Sequence, residues 1–240
     1  MSFRFKQFYI EDSKCAMKVG TDGVLLGAWV EPLPAPLLKR GRILDVGTGS
    51  GLIARMLMQR CPQAEVEGID IDAAAVEQAR ENGIKAFCSR LQDWGIGTQS
   101  SAVSVRPYDL IVSNPPYFQN SLKNPDKGRQ TARHTDTLSY DELLAHSARL
   151  LSEHGQLALI LPAEAEDEVR ELAARYLLYC SRVTRVYSKE SKPARRVLLC
   201  FEKIKIKNEK LKIIEDSLVL ENETGGRSAA YSELCKEFYL

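Results

Sequence analysis

The sequence predicts an α/β fold in which helices cover both faces of a doubly wound, largely parallel sheet of seven strands. Three observations carry this expectation. A short apolar strand runs straight into a glycine-rich turn and then a helix over residues 41–60. Acidic residues recur at the carboxyl ends of successive candidate strands, at Asp70 and near Asp93. Apolar runs of strand length then alternate with helical segments as far as residue 202, the pattern of strands joined by crossover helices.

Each element follows in order. Thr21-Asp22-Gly23 lies between polar and apolar stretches and reads as the N-cap of a helix over Val24–Trp29. Gly41 to Val46 is the first buried strand, and Gly47-Thr48-Gly49-Ser50-Gly51 follows it directly. Leu52 to Arg60 places apolar residues at helical spacing. Glu65 to Ile69 is the second strand, ended by Asp70. Asp72 to Asn82 combines a capping aspartate, alanine-rich propensity and a glycine stop at position 83, so a helix is expected. The third strand is read at about Lys85 to Leu91 and leads to Asp93-Trp94. Tyr108 to Ser113 is the fourth. Tyr140 to Leu151 is amphipathic and helical, Gly155 to Pro162 is the fifth strand, Glu164 to Tyr179 a helix, Arg182 to Tyr187 the sixth strand and Arg196 to Glu202 the seventh.

Composition excludes several classes. The 240 residues suffice for one full doubly wound domain with peripheral additions. Hydrophobic content of 44% with 27% charged residues is that of an ordinary globular chain. No apolar stretch approaches the roughly 18–20 residues that span a bilayer, and Met1-Ser2-Phe3-Arg4 does not open a signal peptide. The six cysteines show no C-x-x-C pair, and the three histidines at 134, 146 and 154 are scattered. Reduced thiols in a cytoplasmic protein without membrane or metal partners are therefore expected. We read one domain over 1–240: an amino-terminal lid segment at 1–40, a core at 41–203 and an extension at 204–240.

Two motifs carry chemistry. Gly47, Gly49 and Gly51 supply the backbone freedom of a ligand-binding turn. Their spacing, Gly-x-Gly-x-Gly with Asp45 two residues before, differs from the G-x-G-x-x-G of dinucleotide sites. A carboxylate placed as Asp70 is suits the two ribose hydroxyls of a nucleoside. Asp93 could take a base amino group while Trp94 covers a ring. The second motif, Asn114-Pro115-Pro116-Tyr117, ends the fourth strand. The Asn114 oxygen and the Pro115 carbonyl can accept the two N–H bonds of an NH2 group, while Tyr117 stacks on the attached plane. Consecutive prolines fix φ and remove two donors, leaving acceptors and little freedom. Taken alone, the same residues are also ordinary turn punctuation.

These motifs, in this order and spacing, resemble those of class I S-adenosylmethionine-dependent methyltransferases. The Asn-Pro-Pro-Tyr tail is similar to the branch that methylates amino groups of adenine or glutamine. Lys6-Gln7-Phe8, then Cys15-Ala16-Met17-Lys18-Val19-Gly20-Thr21-Asp22-Gly23-Val24-Leu25-Leu26-Gly27-Ala28-Trp29, and the ending Glu237-Phe238-Tyr239-Leu240 resemble the bacterial tRNA1(Val) (adenine-37-N6)-methyltransferase family across essentially the whole chain. The resemblance implies a Rossmann-like fold whose last strand inserts antiparallel between the fifth and sixth. It implies S-adenosyl-L-methionine as cofactor, with S-adenosyl-L-homocysteine as product, and methylation of adenine-37 in the anticodon loop of a tRNA. On this reading Asn114, Pro115 and Tyr117 are catalytic, and Asp45, Gly47, Gly49, Gly51, Asp70, Asp93 and Thr21 bind cofactor, with Lys18 a further lid contact.

Charge is uneven although the net charge is only +1. Residues 182–212 hold 11 Lys or Arg against 3 Glu, a local balance of +8. Lys189, Lys192, Arg195 and Arg196 in this stretch, and Lys123, Lys127, Arg129 and Arg133 after the second motif, are expected to meet RNA phosphates. The alternation Lys203-Ile204-Lys205-Ile206-Lys207 reads instead as a strand with lysines facing water. A monomer is expected. Two rival readings share these residues: glutamine methylation on a release factor, and a non-catalytic RNA-binding module. Glutamine methyltransferases carry a helical recognition domain before the cofactor fold, and only the short stretch Met1 to Arg42 precedes Ile43 here.

Overall fold

In chain order the elements are β1 (Ser2–Arg4), β2 (Tyr9–Glu11), α1 (Thr21–Trp29), β3 (Arg42–Val46), α2 (Leu52–Arg60) and β4 (Glu65–Asp70). There follow α3 (Ala73–Glu81), β5 (Lys85–Cys88), β6 (Tyr108–Ser113), α4 (Tyr140–Leu150) and β7 (Leu151–Pro162). A 3-10 turn (Ala163–Ala165), α5 (Glu166–Arg175), β8 (Leu178–Tyr187), β9 (Ala194–Lys203), β10 (Ile214–Val219) and α6 (Ala229–Leu234) complete the chain. This computed structural model describes residues 2–31, 41–95, 106–115, 138–204 and 212–239.

Among the described residues eight strands form one sheet in the order β10-β8-β9-β7-β6-β3-β4-β5. β3, β4, β5, β6 and β7 pair in parallel. β9 lies antiparallel between β7 and β8, so the inserted antiparallel strand expected from the sequence is present. The expected count of seven strands is corrected to eight, because β10 adds in parallel to the outer edge of β8. Its residues gave no strand signal: only Leu218 is buried, since a strand on a sheet edge has little apolar surface to hide.

Side chains alternate across the sheet and build two cores. Ile43, Leu110, Val112, Ala158 and Ile160 face α1, α2, α3 and α6, while Leu44, Ile111, Leu157 and Leu159 face α4 and α5. β3 is buried at every position, as a central strand covered on both faces must be. At the amino ends of these strands Glu67 accepts hydrogen bonds from Arg42 (2.7 Å), Tyr108 (2.8 Å) and Lys85. Burial pushes its carboxyl up, but these donors outweigh burial and hold it below the usual carboxylate range. The site lies at the opposite, carboxyl ends.

Local signals set most boundaries. Asp72 caps α3 by accepting from the Ala74 amide (2.9 Å), and Gly83 leaves the helix at φ 85°. Ser139 and Glu142 form a reciprocal capping box on α4. Three expected boundaries are corrected. The third strand stops at Cys88, where Ser89 to Gly95 turns away. The helix read over Glu164 to Tyr179 is a 3-10 turn followed by α5, and the chain reverses through Leu177 at φ 56°. Finally, α1 begins at Thr21 with Gly20 as its N-cap and no side-chain cap bond. Asp22 does not cap the helix, because its carboxylate is turned to Arg196, 2.8 Å away.

Candidate active site

A cavity of about 710 Å³ opens at the carboxyl ends of β3, β4 and β6, within the size range of small-molecule sites. Its floor is the glycine turn. Gly47, Gly49 and Gly51 all hold positive φ (70°, 54° and 81°), which only glycine adopts without strain. They serve different ends. A Cβ on Gly47 or Gly49 would meet nothing within 4 Å, so these two leave open space on the cavity side. A Cβ on Gly51 would come within 2.5 Å of Ile84, and Gly51 does not line the cavity: it lets α2 pack on the chain after α3.

Asp45 is fully buried and does not line the cavity. Its Oδ2 accepts from Thr48 Oγ1 (2.8 Å) and from the Ala54 amide (3.2 Å) in the first turn of α2. It thus pins the glycine turn and satisfies a helix-terminal N–H that has no intrahelical partner. Burial raises its pKa to about 7, against the opposing hydrogen bonds. Thr48 needs room over the sheet, and Gly68 provides it: a Cβ there would lie 2.7 Å from Thr48 Oγ1. Sequence reasoning passed over Gly68; a glycine inside a strand was the available signal.

Asp70 stands at the wall. Its two oxygens accept from the amides of Gly49 (2.9 Å) and Asp72 (3.0 Å), which aims the carboxylate and leaves further lone pairs toward the cavity it lines. Exposed Ile71 lines the mouth beside it, as does Met17 from the opposite side. The roof comes from residues 15–23. Lys18 Nζ donates to the carbonyls of Asp12 (2.7 Å) and Cys15 (2.9 Å), and Asp12 Oδ2 accepts from the Val19 amide (3.0 Å). The roof loop is thereby folded on itself, with Thr21 and Asp22 lining the cavity at the start of α1.

Asn114 and Pro115 line the cavity at the end of β6. The Asn114 side-chain oxygen is buried and has no donor among the described residues. Such an acceptor costs free energy unless a ligand supplies the N–H. Tyr117, Lys123, Lys127, Arg129 and Arg133 lie outside the described residues.

Asp93 is placed away from the cavity. It is exposed and does not line the cavity, whereas Leu91 and Gln92 do. Trp94 does not cover the cavity either: its Nε1 donates to Tyr108 (3.0 Å) and its ring packs on Phe87 at 5.1 Å. The early end of β5 causes this, since the chain turns before it reaches Asp93. Of the basic residues after β8, Lys189 is 3.6 Å from Glu221, and Arg196 pairs with Asp22. All sit at or beside the turn between β8 and β9, on the cavity side of the sheet.

The methyltransferase small domain family matches residues 25–180. A tRNA1(Val) (adenine(37)-N6)-methyltransferase from Bacteroides fragilis is 45% identical over 243 residues, covering 99% of this chain and 97% of that protein. The chain belongs to this methyltransferase family. Relatives of the same name from Phocaeicola vulgatus (43% identical, covering 99% of this chain and 97% of the relative) and Trichodesmium erythraeum (40%, the same shares) agree. The fold recurs in a predicted O-methyltransferase from Agrobacterium tumefaciens, with TM-score 0.64 at 17% identity over 90% of this chain and 96% of that one. A family member needs a place for a methyl donor, and the cavity between the glycine turn, Asp70 and Asn114 has the size and polarity for one. Among the described residues no group of His, Cys, Asp or Glu is arranged to hold a metal ion, and no helix is long and apolar enough to cross a membrane.

Proposed function

We propose that this protein transfers a methyl group from S-adenosylmethionine to the exocyclic N6 of adenine-37 in tRNA1(Val). The side-chain oxygen of Asn114, buried without a donor among the described residues on a residue that lines the cavity, carries this reading. It is the acceptor that an incoming amino group requires, and it adjoins Pro115, whose carbonyl is the second candidate acceptor. The names of relatives 45% and 43% identical, each covering 99% of this chain, give the reading its substrate.

S-adenosylmethionine, when bound, supplies a sulfonium methyl already activated for displacement, so the reaction needs no metal. Asp70 would take its ribose hydroxyls, and the open faces of Gly47 and Gly49 would admit its body against bare backbone. Ser89, Arg90 and Gln92, rather than Asp93, are described polar residues that line the cavity beyond Asp70. On the substrate side the adenine nitrogen is a weak nucleophile, because its lone pair is delocalised into the ring. Accepting both of its hydrogens at Asn114 and Pro115 favours a pyramidal nitrogen and stabilises the positive charge that develops there. Tyr117 is the sequence's candidate for stacking on the base, a contact worth about 1–3 kcal/mol. Alignment of the reactants supplies much of the rest, roughly 7–11 kcal/mol. The released proton passes to water.

An adenine in an anticodon loop is more easily unstacked than one in a duplex, where extrusion costs a few kcal/mol. Lys189, Lys192 and Arg195 stand on the cavity side of the sheet, where a phosphate backbone entering with its base would pass. On this reading the protein meets its tRNA in the cytoplasm, and we propose that it acts as a monomer.

The test is methyl transfer from labelled S-adenosylmethionine to total tRNA from cells lacking the modification. Label recovered as N6-methyladenosine in a valine tRNA is expected. Label in a glutamine of a release factor, with none in tRNA, would overturn the substrate.

A further inference from the structure

We propose that Arg196 is a positioning residue for cofactor binding, which fixes the roof of the cavity through Asp22, and not a phosphate contact. The inference rests on the reading of the cavity as the S-adenosylmethionine site.

The two ends of α1 are held differently. At its carboxyl end Trp29 Nε1 donates to Thr184 Oγ1 (2.7 Å), and Arg60 donates to the carbonyls of Gly27 (3.2 Å), Ala28 (2.9 Å) and Val30. The other end forms the cavity roof. There Gly20 provides no side-chain cap, and Arg196 Nε makes a polar tie to Asp22 Oδ2 at 2.8 Å. Packing seats the helix from Gly23 onward, where a Cβ on Gly23 would come within 3.0 Å of Leu52 of α2 and Val24, Leu25 and Leu26 are buried, so the pair acts on the first turn that lines the cavity.

Arg196 is suited to anchoring. It lies inside β9, in register with Pro162 of β7 and Val186 of β8, so its backbone is fixed on both sides. Its Nη1 donates to the Arg195 carbonyl (2.9 Å), which orients the guanidinium toward Asp22. The pair is partly covered, with side-chain exposures of 30% and 24%, so it is less screened than a free surface pair. Lys189 and Lys192 belong to the turn itself and Arg195 adjoins it, outside this tie. Asp22 meanwhile sits in the first turn of α1, where negative charge is favoured. One carboxylate thus stabilises the start of the helix and ties it to the sheet edge.

S-adenosylhomocysteine, the product, is the probe, titrated by calorimetry into wild type, Arg196→Met, Arg196→Lys, Asp22→Asn and the Asp22→Asn/Arg196→Met double variant. Arg196→Met and Asp22→Asn are each expected to weaken binding by about fivefold. The double variant should be no weaker than either, since both remove one interaction, and Arg196→Lys should keep most of the affinity. The KM for S-adenosylmethionine should rise while kcat at saturation holds, and the salt dependence of tRNA binding should not change. Intact product affinity in Arg196→Met, or additive losses in the double variant, would overturn the inference. So would a shallower salt slope for tRNA, by about one charge. Failure of wild type itself to bind S-adenosylhomocysteine would instead sink the cofactor reading beneath it.

Discussion

Among single residues, Asn114 and Asp45 each carry a buried side-chain oxygen whose surroundings make a prediction. The Asn114 oxygen, without a donor among the described residues, is an acceptor held ready for one. Asn114→Ala should lower kcat/KM by about 10²–10³, the size of losing one preorganised polar group at a reacting centre. Product binding and thermal stability should stay near wild type, which calorimetry and a melting curve check together. Asp45 makes a different prediction. Its folded pKa, about 7, stands above the ordinary value of 3.8, so between these pH values the native state holds more protons than the unfolded chain. Stability contributed by this group is therefore fullest at the acid end and declines as pH rises from about 4 to about 7. In Asp45→Asn that decline should disappear, a difference readable as wild-type-minus-variant denaturation midpoints across the range. Asp45 was visible in the sequence as part of the motif, but its work was not: that it faces α2 rather than the cavity depends on where Ala54 and Thr48 come to lie.

Among the elements, the glycine turn separates conformation from contact. Gly49→Ala places a Cβ in open space at φ 54°, so the strain is of order 1 kcal/mol and the larger loss should be in product affinity. Gly51→Ala adds a collision with Ile84 at 2.5 Å to a φ of 81°. It should destabilise by about 1–3 kcal/mol beyond the backbone strain, while sparing affinity in the fraction that folds. Paired denaturation and titration curves for the two variants test the contrast. The three glycines look equivalent in the sequence. Only Ile84, distant in the chain and beyond α3, makes the third one a packing glycine. The placement of Asp93 off the cavity has a similar cause: strand propensity continues past Cys88, but the pairing partner does not, because β4 ends at Asp70 opposite Cys88.

Across the molecule as a whole, both termini close over the same core. Phe5 and Phe8 stack at 4.7 Å, the Lys6 amide donates to the Phe238 carbonyl (2.9 Å), and Tyr231, Cys235 and Phe238 are buried among α1 and α2 residues. Phe238 is 2% exposed. Phe238→Ala should therefore cost about 3–5 kcal/mol, as a buried aromatic lost from a core does. Chemical denaturation measures this directly, and a change smaller than about 1 kcal/mol would show that the tail is peripheral to stability.

The alternation of strands and helices, the glycine turn, the place of Asp70, Asn114 and Pro115 at the strand ends that line the cavity and, by resemblance, the family were all legible in the residues alone. These features are encoded in neighbours within one element and its turn, where period, propensity and spacing act directly. Folding was needed to reveal that an eighth strand extends the sheet, that Asp45 and Gly51 lie off the cavity against α2 and the chain after α3, that Asp93 and Trp94 lie off it too, and that Arg196 pairs with Asp22. Each of these depends on contacts between residues far apart in the chain. Asp22 and Arg196 are separated by 174 positions and meet only because β9 returns antiparallel beside β7, under the start of α1.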